Sequence, residues 1–351
     1  MTTTAARAAV TKDPTTAGPD VIIVQQTLVP PDGHTKFVDQ MVGMDNPAVV
    51  HRFFSWKRAI VSRYDVFHAH WPELTIRGAT PLRRFMRRRY MDAFLLRARL
   101  TRTPIVRHLH NVEPHEPGSA AERRSLRRFD KATDVYIRLN PTTVPPTDRP
   151  VVTALHGHYR KAYAAHPLPE PQPGRVVYFG IIRPYKGVDR LATVFSELDG
   201  DDLSLRIVGS PSTGQREMVE AHCARDPRIT ALLRYVSDAE LVDEVGRAEL
   251  VVLPYNEMHN SGAILAAMSL SRPVLAPRTP ANTALSEEVG PGWILEYDGD
   301  LTADVIRDAL HTVRTGERSD EPDLSERDWD HVGRIIEGAY RQAIARAARR
   351  R

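Results

Sequence analysis

The residues best suited to chemistry in this chain form a short basic turn in its second half. Gly180, Arg183 and Lys186 follow an apolar run and precede a stretch with helical periodicity. An arginine fork and a lysine charge, placed beside the unpaired N–H groups of a helix start, suit a diphosphate. These three residues are therefore predicted to bind a diphosphate. A basic loop that only faces solvent is the alternative.

A second turn of the same kind spans residues 254–263, after another apolar run. Asn260 or Ser261 can cap the helix that follows, and Gly262 allows a ligand to approach the backbone closely. Backbone amides there would hold the same diphosphate from its other side; an ordinary capped helix is the alternative. Gly209, which ends a further apolar run, either flanks the nucleotide base or forms a plain turn. The candidates in this second turn are Tyr255, Glu257, Asn260, Ser261, Gly262 and Ala263.

Two segments of the first half, residues 65–73 and 107–116, carry histidine and glutamate just past predicted strands. Ligands bind at that edge of open α/β sheets. A histidine near neutral pH can take a proton or donate a hydrogen bond. Metal binding by these histidines is the alternative, and a hinge turn is the alternative for His158, which lies near the predicted domain boundary. The candidates for contact with a ligand at this edge are His70, Glu73, Asn111 and His158.

The elements that would position these residues alternate along the chain. Apolar, β-branched runs are separated by stretches of helical periodicity, which is typical of βαβ units around a parallel sheet. The fold class is therefore α/β, with doubly wound parallel sheets. Strands are predicted at 21–24, 49–53, 66–69, 105–107, 135–137, 176–179, 203–208, 250–253, 274–275 and 293–295. Helices are predicted at 81–100, 120–131, 188–198, 214–224, 239–247 and 263–270.

Two proline-rich stretches, at 140–150 and 167–173, break this alternation, because proline fits neither a helix interior nor a central strand. A chain of 351 residues also exceeds what one core usually serves. The predicted organisation has four parts. They are a disordered leader at 1–20, an N-terminal domain at 21–165, a C-terminal domain at 166–325, and an amphipathic helix at 326–351 that returns to the first domain.

The composition, with 42% apolar and 26% charged residues and no long apolar run, is that of a globular protein. Residues 1–20 lack the apolar centre of a secretory signal. The single cysteine, Cys223, cannot form an internal disulfide or a cysteine-based metal cluster. These features predict a cytoplasmic protein, peripheral on the inner face of the membrane if it binds lipid.

Positive charge is concentrated between Arg77 and Arg102, where nine arginines stand against one acid, Asp92. Six apolar residues of the predicted helix at 81–100 recur at the spacing of a core-facing stripe, interrupted by Arg89: Leu82, Phe85, Met86, Ala93, Leu96 and Leu100. The basic face either rests on an anionic membrane or is simply solvated. Nucleic acid is disfavoured, since no zinc-finger or aromatic platform motif occurs. The arginines predicted to meet the membrane are Arg83, Arg84, Arg87 and Arg88.

Residues 179–187, 205–209 and 266–276 together resemble the donor half of GT-B glycosyltransferases. The resemblance is to the large family-4-type group, which includes bacterial cell-envelope and exopolysaccharide enzymes. It implies two Rossmann-like domains facing a cleft, of which the C-terminal one binds a nucleoside-diphosphate sugar as donor and the N-terminal one binds the acceptor. The acceptor-binding candidates are then His70, Glu73, Asn111 and His158. The resemblance also implies that Arg183 and Lys186 neutralise the donor diphosphate in place of a metal, so that no cofactor or metal is needed.

The resemblance implies roles in the first half as well. Residues 107–116 are similar to the loop whose histidine contacts the donor sugar, which makes His110 the candidate. Residues 30–36 resemble the family's glycine loop, with Gly33 near the donor phosphate and Asp32 as the base of an inverting reaction. The predicted catalytic residues are His110, Asp32, Arg183 and Lys186.

The chain departs from the family at a pair of glutamates that are usually separated by seven residues. The aligned positions here are Met258 and Ala266, and Glu257 stands one residue from the first. The second glutamate typically holds the donor ribose, so its loss leaves donor identity and retaining stereochemistry open. A subgroup of polysaccharide mannosyl- and glucuronosyltransferases diverges similarly.

The predicted function is a metal-independent glycosyltransferase that moves a hexose from a nucleoside diphosphate to a glycan, glycolipid or polysaccharide-precursor acceptor. Two alternatives stand beside it. One is a sugar-nucleotide epimerase on the same fold, and the other is a non-catalytic partner subunit of an active transferase. A Rossmann oxidoreductase is disfavoured because no Gly-x-Gly-x-x-Gly follows the first strand.

Overall fold

The computed structural model describes residues 21–31, 36–44, 46–110, 118–255 and 261–349. The chain divides into two compact units. Unit 1 comprises residues 1–157 together with 326–351, and unit 2 comprises residues 158–325. The sequence places the division later, after residue 165. The proposed leader at 1–20 lies outside the described residues.

Unit 1 is built on a six-stranded, all-parallel sheet in the order β2-β1-β3-β4-β5-β6. Its strands are β1 (Ile22–Gln26), β2 (Val49–Arg52), β3 (Val66–Ala69), β4 (Ile105–Leu109), β5 (Val135–Arg138) and β6 (Val151–Thr153). Its helices are α1 (Lys36–Val42), α2 (Trp56–Val61), α3 (Pro72–Ile76), α4 (Pro81–Thr101), α5 (Ala120–Ala132) and, from the chain end, α13 (Trp329–Ala348).

Each face of this sheet is covered by its own apolar core, as parallel sheets require. Residues of α1 and α13 pack on one face, where Trp329, Ile336 and Tyr340 are buried against β-strand residues such as Val106. Residues of α2, α4 and α5 pack on the other face around Phe94 and Phe129. The last helix therefore belongs to unit 1, where it packs along β3, β4, β5 and β6.

Unit 2 repeats this plan with a second six-stranded parallel sheet, in the order β12-β11-β10-β7-β8-β9. The strands are β7 (Arg175–Phe179), β8 (Ser204–Val208), β9 (Ile229–Leu232), β10 (Leu250–Val252), β11 (Val274–Pro277) and β12 (Ile294–Tyr297). The helices are α6 (Arg160–Tyr163), α7 (Val188–Ser196), α8 (Gln215–Arg225), α9 (Asp238–Gly246), α10 (Gly262–Ser269), α11 (Pro280–Val289) and α12 (Ala303–Thr315).

The predicted α/β class with two doubly wound parallel sheets is confirmed. Each predicted strand corresponds to an observed one, within a few residues at the ends. The sequence prediction omitted β6 and β9, each of which lies at one edge of its sheet and is only partly buried. Among the described residues, no helix combines the length and hydropathy that crossing a bilayer requires.

The predicted packing of α4 is wrong. The apolar stripe expected to face the core is exposed instead: Leu82 keeps 70% of its surface and Leu100 keeps 74%. The core-facing residues are Met91, Phe94 and Ala98. Helical spacing shows which side chains share a face, but it does not show which face a neighbour covers.

Candidate active site

The basic turn of unit 2 follows β7 and is shaped by glycines. Gly180 and Gly187 have left-handed φ values of +122° and +66°, and a single 3-10 turn, Pro184–Lys186, lies between them. A Cβ on Gly187 would lie 2.1 Å from the carbonyl oxygen of Pro254, so only glycine allows this turn to touch the end of the β10 segment.

The end of β8 joins the same edge of the sheet. A Cβ on Gly209 would lie 1.8 Å from the carbonyl oxygen of Gly180, and Ile182 donates its backbone N–H to Ser210. The three strand ends that carry the donor-site candidates are thus in direct backbone contact. The structure brings Gly180, Lys186 and Gly209 to one edge of unit 2, beyond the carboxyl ends of the strands, where open α/β sheets bind their ligands.

Lys186 is held in an unusual environment for a cation. Its Nζ lies 3.4 Å from the centre of the Tyr255 ring, a cation–π distance. Burial, with a smaller contribution from the charge of Arg183, lowers the pKa of Lys186 to about 8. Neither Lys186 nor Arg183 forms an ion pair with another residue of the described chain. Two neighbouring cations without a protein anion are suited to bind a ligand anion.

Tyr255 supports this cation instead of facing open solvent. Only 4% of its surface is exposed, and burial raises the pKa of its phenol. Its ring packs at 6.5 Å from that of Tyr178. The donor-site prediction for Tyr255 therefore takes a specific form, in which the ring face positions Lys186.

Helix α10 begins at the same edge, directly after the segment that follows β10. The Ser261 hydroxyl accepts a hydrogen bond from the backbone N–H of Ile264 and caps the helix. The N–H groups of Gly262 and Ala263 lie in the first turn, where the helix dipole favours an anion. Glu257 and Asn260 fall outside the described residues.

In unit 1, four histidines lie at the ends of the neighbouring strands β3 and β4. His68 and His108 are in the strands, whereas His70 and His110 each stand one residue past the end. All four are buried, and even His110 keeps only 8% of its surface. Burial lowers the pKa of each, for His108 to about 3, so the rings are neutral at pH 7.

A chain of hydrogen bonds runs through this cluster. Gln26 Nε2 lies 2.7 Å from His51 Nδ1, and Gln26 Oε1 lies 3.0 Å from His70 Nε2. His70 Nδ1 in turn lies 2.9 Å from His110 Nε2. His70 is 1% exposed with both ring nitrogens engaged, so it has no group left for an acceptor sugar. Its predicted acceptor contact is therefore replaced by contact with His110.

Sequence reasoning missed Trp71, which packs directly on His110. The two rings are stacked, with centroids 3.9 Å apart and an interplanar angle of 21°. Trp71 has a left-handed backbone, with φ 39° and ψ 60°. A bulky residue rarely adopts this conformation, and such strain concentrates at functional sites. The one signal in the sequence was a tryptophan immediately after a histidine at a strand end.

The remaining candidates have different positions. Glu73 is in the first turn of α3 and is buried; its backbone carbonyl accepts the N–H of Arg77, and its carboxylate makes no hydrogen bond or ion pair to a described residue. His158 belongs to unit 2, not to the predicted acceptor domain, and its Nδ1 accepts the backbone N–H of Arg160 at 3.3 Å. Asp32, Gly33 and Asn111 lie outside the described residues.

Comparison with known proteins places the chain among transferases. Residues 173–312 match the family model of glycosyl transferases group 1. A GDP-mannose:glycolipid 4-β-D-mannosyltransferase of Xanthomonas campestris pv. campestris is 44% identical over 334 residues, 94% of this chain and 95% of that protein. A second protein of the same description and pathovar is 43% identical over the same shares of both chains.

This chain is a GT-B glycosyltransferase of the family-4-like group.

Solved structures of GT-B enzymes have the same fold. Anabaena Alr3699/HepE in complex with UDP superposes with a TM-score of 0.61 at 12% identity, covering 94% of this chain and 98% of that one. AviGT4, a glycosyltransferase involved in avilamycin A biosynthesis, gives a TM-score of 0.54 at 14% identity, with 92% and 98% covered. The sequence prediction of a glycosyltransferase is confirmed, and the epimerase and partner-subunit alternatives are disfavoured.

This GT-B enzyme lacks the usual carboxylate at position 266. Ala266 is 5% exposed and packs in the core of unit 2. Met258 lies outside the described residues. Glu249, which has the family spacing to Glu257, is at the start of β10 and pairs with Arg314 at 2.7 Å, so its role is structural. Position 266 therefore offers no carboxylate to a donor.

The histidine cluster also bears on metal binding by the transferase. Among the described residues, His68, His70 and His108 form the single group whose ligand atoms could surround an ion, all within 4.8 Å of one another. The His68 and His108 rings are stacked, with centroids 5.5 Å apart and an interplanar angle of 16°. Both nitrogens of His70 are already hydrogen-bonded. This geometry favours packed neutral rings, and metal independence stays a prediction.

Proposed function

We propose that this glycosyltransferase moves mannose from GDP-mannose to a lipid-linked sugar acceptor and forms a β-mannoside. The observation that carries the proposal is the 44% identity, over nearly the whole of both chains, to a GDP-mannose:glycolipid 4-β-D-mannosyltransferase. The basic turn of unit 2, residues 180–187, is called the donor turn below. It agrees with the proposal, because Arg183, Lys186 and the start of α10 suit any nucleoside diphosphate.

In this mechanism the donor turn acts on the leaving group. When the bond between the anomeric carbon and the β-phosphate oxygen breaks, that oxygen gains negative charge. Arg183, Lys186 and the N–H groups of Gly262 and Ala263 stabilise the charge with dipoles and cations that are already in place. The reaction needs no metal ion, since these groups supply the positive charge.

A β-mannoside formed from an α-linked nucleotide sugar requires inversion at the anomeric carbon. The acceptor hydroxyl attacks from the face opposite the diphosphate, and its proton goes to a base. We assign this step to the histidine cluster of unit 1. His110 contacts the reacting sugar, and either Asp32 or His110 acts as the base. The absence of the family glutamate at Ala266 agrees with a reaction that differs from the retaining one.

The direct test is transfer by purified protein from GDP-mannose to a mixture of lipid-linked oligosaccharides extracted from a bacterial membrane. A mannosylated lipid product, with a β-anomeric signal in its proton spectrum, is expected. Turnover with UDP-glucose or UDP-glucuronate but not GDP-mannose would refute the donor assignment. Full activity after treatment with EDTA is expected, and loss that Mg²⁺ or Mn²⁺ restores would refute metal independence.

The exposed stripe of α4 supports a membrane surface as the second partner. Large apolar side chains rarely form a contiguous exposed row on a soluble monomer. Here the row is flanked by Arg83 and Arg84, both exposed, and by the half-buried Arg88. Arg87 instead donates to the carbonyl oxygen of Arg77. An apolar row with basic flanks is the pattern of a helix lying in an anionic membrane interface. The members of the row are Leu82, Phe85, Met86, Ala93, Leu96 and Leu100.

A cavity of about 590 Å³ lies at the C-terminal end of this row and extends the proposed membrane surface. Its lining combines apolar side chains such as Leu96 with Arg99, Arg102 and Arg128. Arg128 pairs with Asp92 at 2.7 Å, whereas Arg99 and Arg102 make no ion pair with a described residue. This combination suits the phosphate of an anionic phospholipid, with its acyl chains beside Leu96 and Leu100.

Cosedimentation with vesicles of phosphatidylcholine containing about 30% phosphatidylglycerol tests the membrane surface. Phe85→Ser with Leu96→Ser should reduce binding about tenfold or more, since each removes buried apolar area. Leu168→Ser, at an exposed apolar residue of unit 2, is the matched control and should bind as the wild type does. Equal binding by all three proteins would exclude α4 as the membrane surface. Binding through α4 would make this a cytoplasmic protein that is peripheral on the inner face of the membrane.

A further inference from the structure

The hydrogen-bond chain behind His110 fixes where the protons lie. An amide nitrogen only donates and an amide oxygen only accepts. Gln26 turns its Nε2 towards His51 Nδ1, so it turns its Oε1 towards His70. His70 must then carry its proton on Nε2 in order to donate across the 3.0 Å to that oxygen.

The same reasoning extends to His110. His70 is neutral because it is buried, and a neutral imidazole has one N–H. With the proton on Nε2, its Nδ1 is an acceptor. The 2.9 Å contact to His110 Nε2 is therefore a hydrogen bond in which His110 donates. His110 in turn carries its single proton on Nε2 and leaves Nδ1 as its accepting nitrogen.

We propose that His70 is a positioning residue, which together with Gln26 holds His110 in the Nε2–H tautomer. The inference rests on the proposed role of His110 at the reacting sugar. Trp71 complements it, because the indole stacked at 3.9 Å fixes the plane of the His110 ring while His70 fixes its protonation pattern. A second group that sets the tautomer of a catalytic histidine is a recurrent feature of acid–base sites.

The competing explanation is that His70 only fills space in the core, and two substitutions separate the explanations. Phenylalanine keeps the volume of the ring but cannot accept a hydrogen bond. Asparagine is smaller, but its Oδ1 lies near the position of the histidine Nδ1 and can accept the His110 proton. The positioning role predicts that His70→Phe loses turnover and that His70→Asn keeps more of it, whereas a packing role predicts the reverse order.

The kinetic experiment compares these variants in mannosyl transfer. We expect kcat to fall about 30-fold in His70→Phe, with KM for the donor changed less than about threefold, and to recover to within about fivefold of wild type in His70→Asn. His108→Phe is the matched control, since His108 is equally buried on the adjacent strand and its ring nitrogens have no partner among the described residues. The kcat of His108→Phe should equal that of the wild type. An active His70→Phe with an inactive His70→Asn would overturn the proposal.

A spectroscopic experiment determines the tautomers of His70 and His110 without an activity assay. In protein labelled with ¹⁵N-histidine at pH 7.5, two-bond couplings should identify both His70 and His110 as Nε2–H tautomers. Gln26→Leu removes the amide oxygen that accepts the His70 proton, so each of the two rings should become a mixture of both tautomers. An Nδ1–H form of either ring in the wild-type protein would overturn the proposal. If the tautomers are as expected but His110→Ala retains full transfer, the proposed catalytic role of His110 fails while the tautomer assignment stands.

Discussion

The donor turn of unit 2 and the histidine cluster of unit 1 lie at equivalent sheet edges but are built in opposite ways. The donor turn carries two cations, Arg183 and Lys186, that have no anion among the described residues. The histidine cluster consists of buried neutral rings, in which His70 and His110 are hydrogen-bonded to each other and the ring nitrogens of His108 have no partner among the described residues. The first is arranged to gain energy when a charged ligand arrives. The second is arranged to hold one geometry whether or not a ligand is present.

The largest effect should come from removing charge at the donor turn. Arg183→Ala and Lys186→Ala should each lower kcat/KM for transfer by about 10²- to 10³-fold, because both remove stabilisation of the charge that develops on the leaving diphosphate. Steady-state kinetics with GDP-mannose measure this. Arg307→Ala, at an exposed arginine of α12, is the control and should have little effect. If the variants lose no more than a few-fold, the diphosphate is held elsewhere.

Acid should distinguish the two regions through stability. The pKa values of His51, His108 and His156 are lowered to about 4, 3 and 4 by burial, well below the unfolded value. A lowered histidine pKa means that the unfolded chain takes up protons first, so stability is complete above about pH 6.5 and falls as pH drops towards 4. Each such histidine contributes up to about 1.4 kcal/mol per pH unit in that window.

Urea unfolding at pH 7.5 and pH 5 should therefore show a loss of several kcal/mol in the free energy of unfolding. In His108→Phe the difference between the two pH values should shrink by about 2 kcal/mol, because one titrating ring is gone. An unchanged difference would mean that His108 is not a neutral ring in the folded protein.

At the donor turn, the property expected to depend on pH is GDP affinity, and it should change at alkaline pH. Lys186 has a pKa of about 8 in the free protein, and a bound diphosphate favours its charged form. GDP affinity should thus be constant below about pH 8 and then weaken by up to tenfold per pH unit above it. Calorimetric titration with GDP from pH 7 to 9.5 measures the slope. Lys186→Arg, whose charge does not titrate in this range, should remove it. A slope that persists in Lys186→Arg would assign the titration to another group.

The sequence predicted these two regions unequally, and the reason is physical. Gly180, Arg183 and Lys186 are neighbours along the chain, so their chemistry is visible before folding. The hydrogen-bond chain through Gln26, His70 and His110 joins residues in or just past three different strands, and it depends on the pairing of β1, β3 and β4. The spacing of residues in the sequence placed His70 at the correct sheet edge. It could not show that the His70 ring is hydrogen-bonded to His110.

The same limit explains why the predicted packing of α4 is wrong. Its apolar spacing predicted a buried stripe, yet the faces of a long helix are assigned by the neighbours that cover them. Here Phe94 and Ala98 face the sheet, and the stronger apolar row is left outside. The sheet class, by contrast, follows from alternation along the whole chain and was predicted correctly.

The smallest effect should come from Trp71, where geometry and stability oppose each other. Glycine at this position would relieve the left-handed backbone strain, which is of the order of 1–3 kcal/mol, but it would remove the ring stacked on His110. Trp71→Gly should therefore change the free energy of unfolding little while lowering kcat about tenfold, and Trp71→Phe should recover most of the rate. Unfolding and turnover are measured on the same preparations. If Trp71→Gly is markedly less stable and equally active, the indole serves the core of unit 1 and not the position of His110.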